Sequence, residues 1–242
     1  MRLRLVPTLA VVLLAAAGCM APGKTDGPPP AGPPATTTSG VASPGESSPG
    51  TVVPPPASEP AGDGVEYRVS YPFGVPSTPV TVSHSFTPPI APPPAPPLPY
   101  LVGVYVGNHP EGSPPYQRIS FYFRGAFPSY RFSYVSGVFQ DGSGNPVPLV
   151  GNSFLSIVFT TAQAHDNDGA STIVKTPPNP IGFTNLKSYG FAGDFEGYVS
   201  YGLGIQVAPG SDQVLKIRAG ELKRPDGAGS FFYVVHFDVQ TG

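Results

Sequence analysis

Cysteine is almost absent: Cys19 is the single one in 242 residues. One thiol cannot close an intrachain disulfide, so the fold rests on its core alone. A CxxC zinc or redox motif is excluded on the same count. Tryptophan is missing, charged residues make up only 12%, and the net charge is −2. With 13 basic against 15 acidic residues there is no basic excess of the kind a nucleic-acid partner wants. Apolar runs are short as well. The one at residues 5–17 falls below the roughly 20 residues needed to span a bilayer core. HExxH, P-loop, GxSxG and helix-opening GxGxxG motifs are all lacking, and "GNSFL" (151–155) fails the elbow pattern at Leu155. No catalytic residue, metal or cofactor is therefore assigned, and a non-enzyme is expected.

What the chain does have begins at its N-terminus. Arg2 and Arg4 precede the apolar run, and "AAGC" follows it. A short basic region ahead of an apolar core is the layout of a secretory signal. Small residues directly before Cys19 resemble the lipobox of bacterial lipoproteins, with Ala16 standing where that motif prefers Leu. The resemblance implies cleavage after residue 18 and a diacylglyceryl group on Cys19. Two acyl chains give stable membrane anchoring where one is marginal. The expected location is extracytoplasmic, lipid-anchored to the outer face of the plasma membrane, with the membrane as a partner through Cys19.

Proline (35) and glycine (30) are abundant but unevenly placed. Residues 19–64 are Pro/Gly/Ser/Thr-rich without aromatics, a composition that cannot bury enough apolar surface to offset its ordering entropy. This segment reads as a disordered tether reaching into the cell wall. Residues 65–99 are Pro-rich and extended; "VEYRVSY" and "PVTVSHSF" allow edge strands only, because proline is barred from central ones.

From residue 100 the material changes. "YLVGVYVG" places Val102, Val104 and Val106 in phase, and "YQRISFYFRG" sets Ile119, Phe121 and Phe123 against Arg118, Ser120, Tyr122 and Arg124. Leu155, Ile157 and Phe159 share a phase, as do Phe231, Tyr233, Val235, Phe237 and Val239. Period two over seven or eight short segments with Gly/Pro/Asp turns predicts one all-β antiparallel sandwich over 100–242. "PIGFTNL" (180–186) allows one helical turn.

"VGVYVGNHPEGSPPYQRISFYFRGAFPSYRFSYV", "DGSGNPVPL", "TTAQAHD", "AGDFEGYVSYGLGI" and "GELKRP" together resemble the AMIN-like domain of actinobacterial lipoproteins over residues 100–240. The resemblance implies a β-sandwich that places the protein on peptidoglycan or at the septum, with no established activity; peptidoglycan, another wall polymer or a wall-associated protein is the expected partner.

Site candidates come from three places. Asp194 and Glu196 flank Phe195 between glycines; in an extended chain both carboxylates share a face and can accept hydrogen bonds from sugars or amines. A glycine-shaped turn with Asp194 bonding backbone amides is the competing reading. Arg118, Arg124 and Arg131, with Tyr105, Tyr122, Tyr130 and Tyr134, offer a face of rings and guanidinium donors suited to glycans, against an ordinary sheet face. His165, Asp166 and Asp168 fail the EF-hand spacing, since Ala170 and Pro177 stand where ligands are needed, and a polar loop is expected. His236 points away from the Phe231 set and is expected at the surface. The expected function is wall binding without catalysis; a hydrolase using Asp194 and Glu196, and a carrier holding lipid in an apolar cavity, are the alternatives.

Overall fold

The computed structural model describes residues 64–88, 96–210 and 214–241. The signal segment, Cys19 and residues 19–63 of the tether lie outside the described residues. Among the described residues there are ten strands and no helix. They are β1 (Glu66–Gly74), β2 (Val80–Val82), β3 (Tyr100–His109), β4 (Tyr116–Arg124) and β5 (Ser129–Val135), then β6 (Ser153–Thr160), β7 (Leu186–Phe195), β8 (Tyr198–Ile205), β9 (Ile217–Pro225) and β10 (Phe231–Gln240). The front sheet has the order β1-β9-β10-β4-β3 and the back sheet β2-β5-β6-β8-β7. All neighbouring strands are antiparallel. The expected all-β sandwich is what forms.

The core lies where the alternating apolar sets of the two sheets meet. Ile119, Phe121 and Phe123 of β4 and Leu155, Ile157 and Phe159 of β6 are fully buried, as are Val235, Phe237 and Val239 of β10. Rings interlock across the layer: Phe121 lies 5.0 Å from Phe159 and 4.9 Å from Tyr201, and Phe132 lies 5.1 Å from Phe237. Each such ring contributes about 1.5–3 kcal/mol by leaving water.

The alternation of β3 differs from its sequence pattern. The ladder slips between Leu101 and Gly103, so Leu101 pairs with Phe123 and joins Val104 and Val106 inside, while Val102 drops out. A bulge inserts one residue, which shifts the phase of everything on one side of it. No helical turn forms at 180–185 either; Ile181 instead donates to the Lys187 carbonyl beside β7.

The Pro-rich segment supplies one edge strand to each sheet, and Pro72 falls within edge strand β1. A buried carboxylate pins it there. Glu221 of β9 accepts hydrogen bonds from Arg68 of β1, from His84 just after β2 and from Tyr130 of β5. Burial alone would raise the Glu221 carboxyl, but the hydrogen bonds and charges of His84 and Arg68 outweigh it and hold it below the ordinary value.

One further segment closes the sandwich at its other side. Two isolated parallel bridges, Tyr100 with Gln163 and Gly103 with Lys175, line the free edge of β3, with Val104 N–H donating to Lys175 and Val174 N–H to Val102, while the residues between them fold back through an antiparallel bridge of His165 with Ser171.

Candidate functional site

Two places gather the chemistry-bearing side chains. The first is the outer face of the front sheet. Because Ile119, Phe121 and Phe123 point inward, Arg118, Tyr122 and Arg124 must point outward. Tyr105 on β3 lies 4.5 Å from Tyr122, which in turn lies 5.5 Å from Phe232 on β10. Arg124 caps Phe232 at 4.1 Å and bonds Asp226; Lys175 lies 5.2 Å over Tyr105. That hydrogen bond, with the Ala228 and Ser230 amides, holds the Asp226 carboxyl at about 2.

At the other end of the same face, Asp238 is fully buried beneath two arginines. Arg118 donates to both of its oxygens, at 2.6 and 3.0 Å, and Arg218 donates from Nε at 2.7 Å. The two guanidiniums also cover the Tyr116 ring, at 5.1 and 4.7 Å. Arg224 pairs with Phe232 in register and is exposed on this face. Arg118, Arg124, Arg218, Arg224 and Lys175 make five cations against the two carboxylates Asp226 and Asp238.

Four of the sequence candidates, Arg118, Arg124, Tyr105 and Tyr122, thus share this face. Three others do not. Arg131 stands exposed on β5 of the back sheet, Tyr130 is buried in the core, and Tyr134 donates its hydroxyl to the Leu215 carbonyl. Their strand belongs to the opposite sheet. His236 corrects another expectation. It does face outward, but it is only 1% exposed, stacked on Tyr67 at 5.7 Å. Long side chains lie flat over this face and cover what a bare strand would expose. Burial, with the Arg118 charge, pushes the His236 imidazole down to about 3.

The second place is a cavity of about 460 Å³ at edge strand β7, beneath residues 164–176. The ladder slips between Phe191 and Gly193, so Phe191 opposes Tyr201 and Asp194 opposes Val199. Tyr201 and Val199 share a face; the bulge therefore turns Phe191 and Asp194 to the same side, where simple alternation would separate them. Asp194 Oδ2 accepts from the Ala164 amide at 3.0 Å and from His165 Nδ1 at 2.6 Å. Its Oδ1 is buried with no hydrogen-bond partner. Tyr189, Phe191 and Tyr201 supply ring walls.

Glu196 is not part of this cavity. With Gly197 it forms a two-residue turn between β7 and β8, both at positive φ (49° and 81°), as type I′ hairpins require. The extended-chain expectation of two carboxylates on one face fails there. Asp166 is likewise a turn former, accepting from the Asp168 and Ala170 amides. His109 stacks on Tyr116 of the front face, away from the His165–Asp194 pair. Among the described residues no group of three or more His, Cys, Asp or Glu is arranged to hold a metal. Missed by the sequence reading were Asp238, Arg218 and the Asp194–His165 contact; the only signal for the last was the run of glycines around a carboxylate, which marks a bulge.

These features define a β-sandwich with a ring-and-cation face and a side cavity at β7. The AMIN-like domain model matches residues 99–221, just over half of the chain. The chain belongs to the AMIN-like domain family. Its match spans β3 to most of β9; β1, β2 and β10, the middle strand of the front sheet, complete the fold outside it. Membership is compatible with binding at the cell wall. Neither the curated proteins nor the solved structures returned a match.

Proposed function

We propose that this is a lipid-anchored envelope protein whose sandwich binds an anionic wall polymer, peptidoglycan first among them, without catalysis. The observation that carries the reading is the outer face of the front sheet, where the tilted and edge-on rings of Tyr105, Tyr122 and Phe232 lie beside cations that outnumber the carboxylates Asp226 and Asp238. Flat rings suit the apolar faces of sugars, and guanidiniums suit carboxylates or phosphates in a planar fork. A face of this kind tracks a polymer rather than enclosing a scissile bond.

The hydrolase alternative required Asp194 and Glu196 to flank a shared cleft, and Glu196 lies in a turn outside the cavity. Among the described residues that line this cavity, the serine is Ser171, and its Oγ accepts from the Ile173 amide.

The test is co-sedimentation of the full chain with insoluble wall sacculi. The reading expects saturable binding that weakens as salt rises, because exposed charges are screened within about 8–10 Å at physiological ionic strength. Absence of binding at low salt would remove it. Anchoring is tested separately: Cys19→Ala should move the protein from the membrane to the soluble fraction, and unchanged retention would contradict lipidation.

A further inference from the structure

The cavity at β7 is separate from the ring-and-cation face and has a chemistry of its own. We infer that it binds a ligand bearing a primary ammonium group on an apolar stem, with Asp194 as counter-ion and the Tyr189, Phe191 and Tyr201 rings as walls. A volume of about 460 Å³ lies within the 300–1,000 Å³ typical of small-molecule sites.

Charge balance points to a cation. Asp238 holds two arginines, Asp226 holds Arg124, and Glu221 holds Arg68 and His84. Asp194 has only His165, whose side chain is 41% exposed, while its own side chain is 12% exposed. Oδ1 accepts nothing, although an ionised carboxylate offers about four acceptor positions. Among the described residues, no lysine or arginine lines this cavity. An ammonium group brings both what is missing: a positive charge and three donors. The soft χ2 torsion of an aspartate lets the carboxylate turn toward such a guest.

The walls agree. The faces of aromatic rings attract cations, and a site poor in water strengthens the ion pair. Tyr201 is 2% exposed and lines the cavity, so its ring wall is already shielded from bulk water. Phe191 is 46% exposed and gives an apolar stem a surface to lie on. A neutral sugar would supply donors without charge, and a hydrocarbon would leave Oδ1 unpaired.

Isothermal titration calorimetry on the full chain tests this with hexylammonium chloride, using 1-hexanol and N-acetylglucosamine as comparison probes. Hexylammonium should bind one to one and at least about tenfold more tightly than hexanol, and Asp194→Asn should remove that preference. Phe191→Ala, a change at an exposed side chain, should weaken hexylammonium binding in a folded protein whether or not the Asp194 variant folds. Equal binding of hexanol, preferential binding of N-acetylglucosamine, an unaffected Asp194→Asn variant in its folded form, or no heat with hexylammonium at millimolar concentration would each overturn the inference. Failure of the wall-binding proposal is distinguishable from this, since sacculi are read on the front face and hexylammonium at the cavity.

Discussion

Asp238 and Asp194 are the same residue type on strands of the same sandwich, and their surroundings could hardly differ more. Asp238 lies beneath Arg118 and Arg218 with both oxygens bonded and no exposure. Asp194 has one oxygen shared between an amide and a histidine, and the other bonded to nothing. A buried charge with every position filled holds its neighbours in place; one left half-paired beside a cavity is open to a guest. The same contrast separates the regions around them. The front face has its acids satisfied and its rings and surplus cations turned outward, while the cavity has rings around an acid short of donors.

The largest effect expected from breaking this contrast is at Asp238. Asp238→Ala leaves two guanidiniums together without their shared counter-ion and should cost about 3–5 kcal/mol in urea unfolding. A cost below about 1 kcal/mol would mean the arginines are solvated rather than held.

Next is pH. The unfolded chain protonates the His236 position from about pH 6.5 downward, whereas the folded chain does so only near pH 3, so stability falls as pH drops through that interval. Between about pH 6.5 and 4.5 the loss attributable to this ring is on the order of 2 kcal/mol. His236→Phe keeps a ring against Tyr67 and should flatten that part of the stability profile; an unchanged slope would place the titration elsewhere.

Smaller again is Asp194→Asn, which keeps an acceptor for Ala164 and should change stability by no more than about 1 kcal/mol. Smallest is Glu196→Asn. An Asn-Gly turn suits the positive φ at both positions and should add about 0.5 kcal/mol, with wall binding untouched. Loss of binding in that variant would return Glu196 to the site.

The sandwich was legible because its inward sets repeat every second residue and almost nothing interrupts them in β4, β6 and β10. Where legibility failed, a bulge had intervened. Val102 looks inward by period two and is not, and Asp194 and Phe191 share a side only because the β7 ladder slips between Phe191 and Gly193. Long-range pairing was also beyond reach: nothing in the sequence links Asp238 to Arg118, or His165 to Asp194, because those contacts depend on sheet order. His236 misled for a related reason. Strand alternation tells which way a side chain points, but not whether Tyr67 lies over it.

The most direct measurement is the fraction of full-length chain bound to wall sacculi, compared among the unaltered protein, a folded Tyr105→Ala/Tyr122→Ala variant and Asp194→Asn. The account predicts saturable binding by the first, a loss of about tenfold or more in the second, since ring contacts to sugars are the recognition it assigns there, and no change in the third. Binding that survives removal of both tyrosines, or that disappears with Asp194 alone, would contradict it.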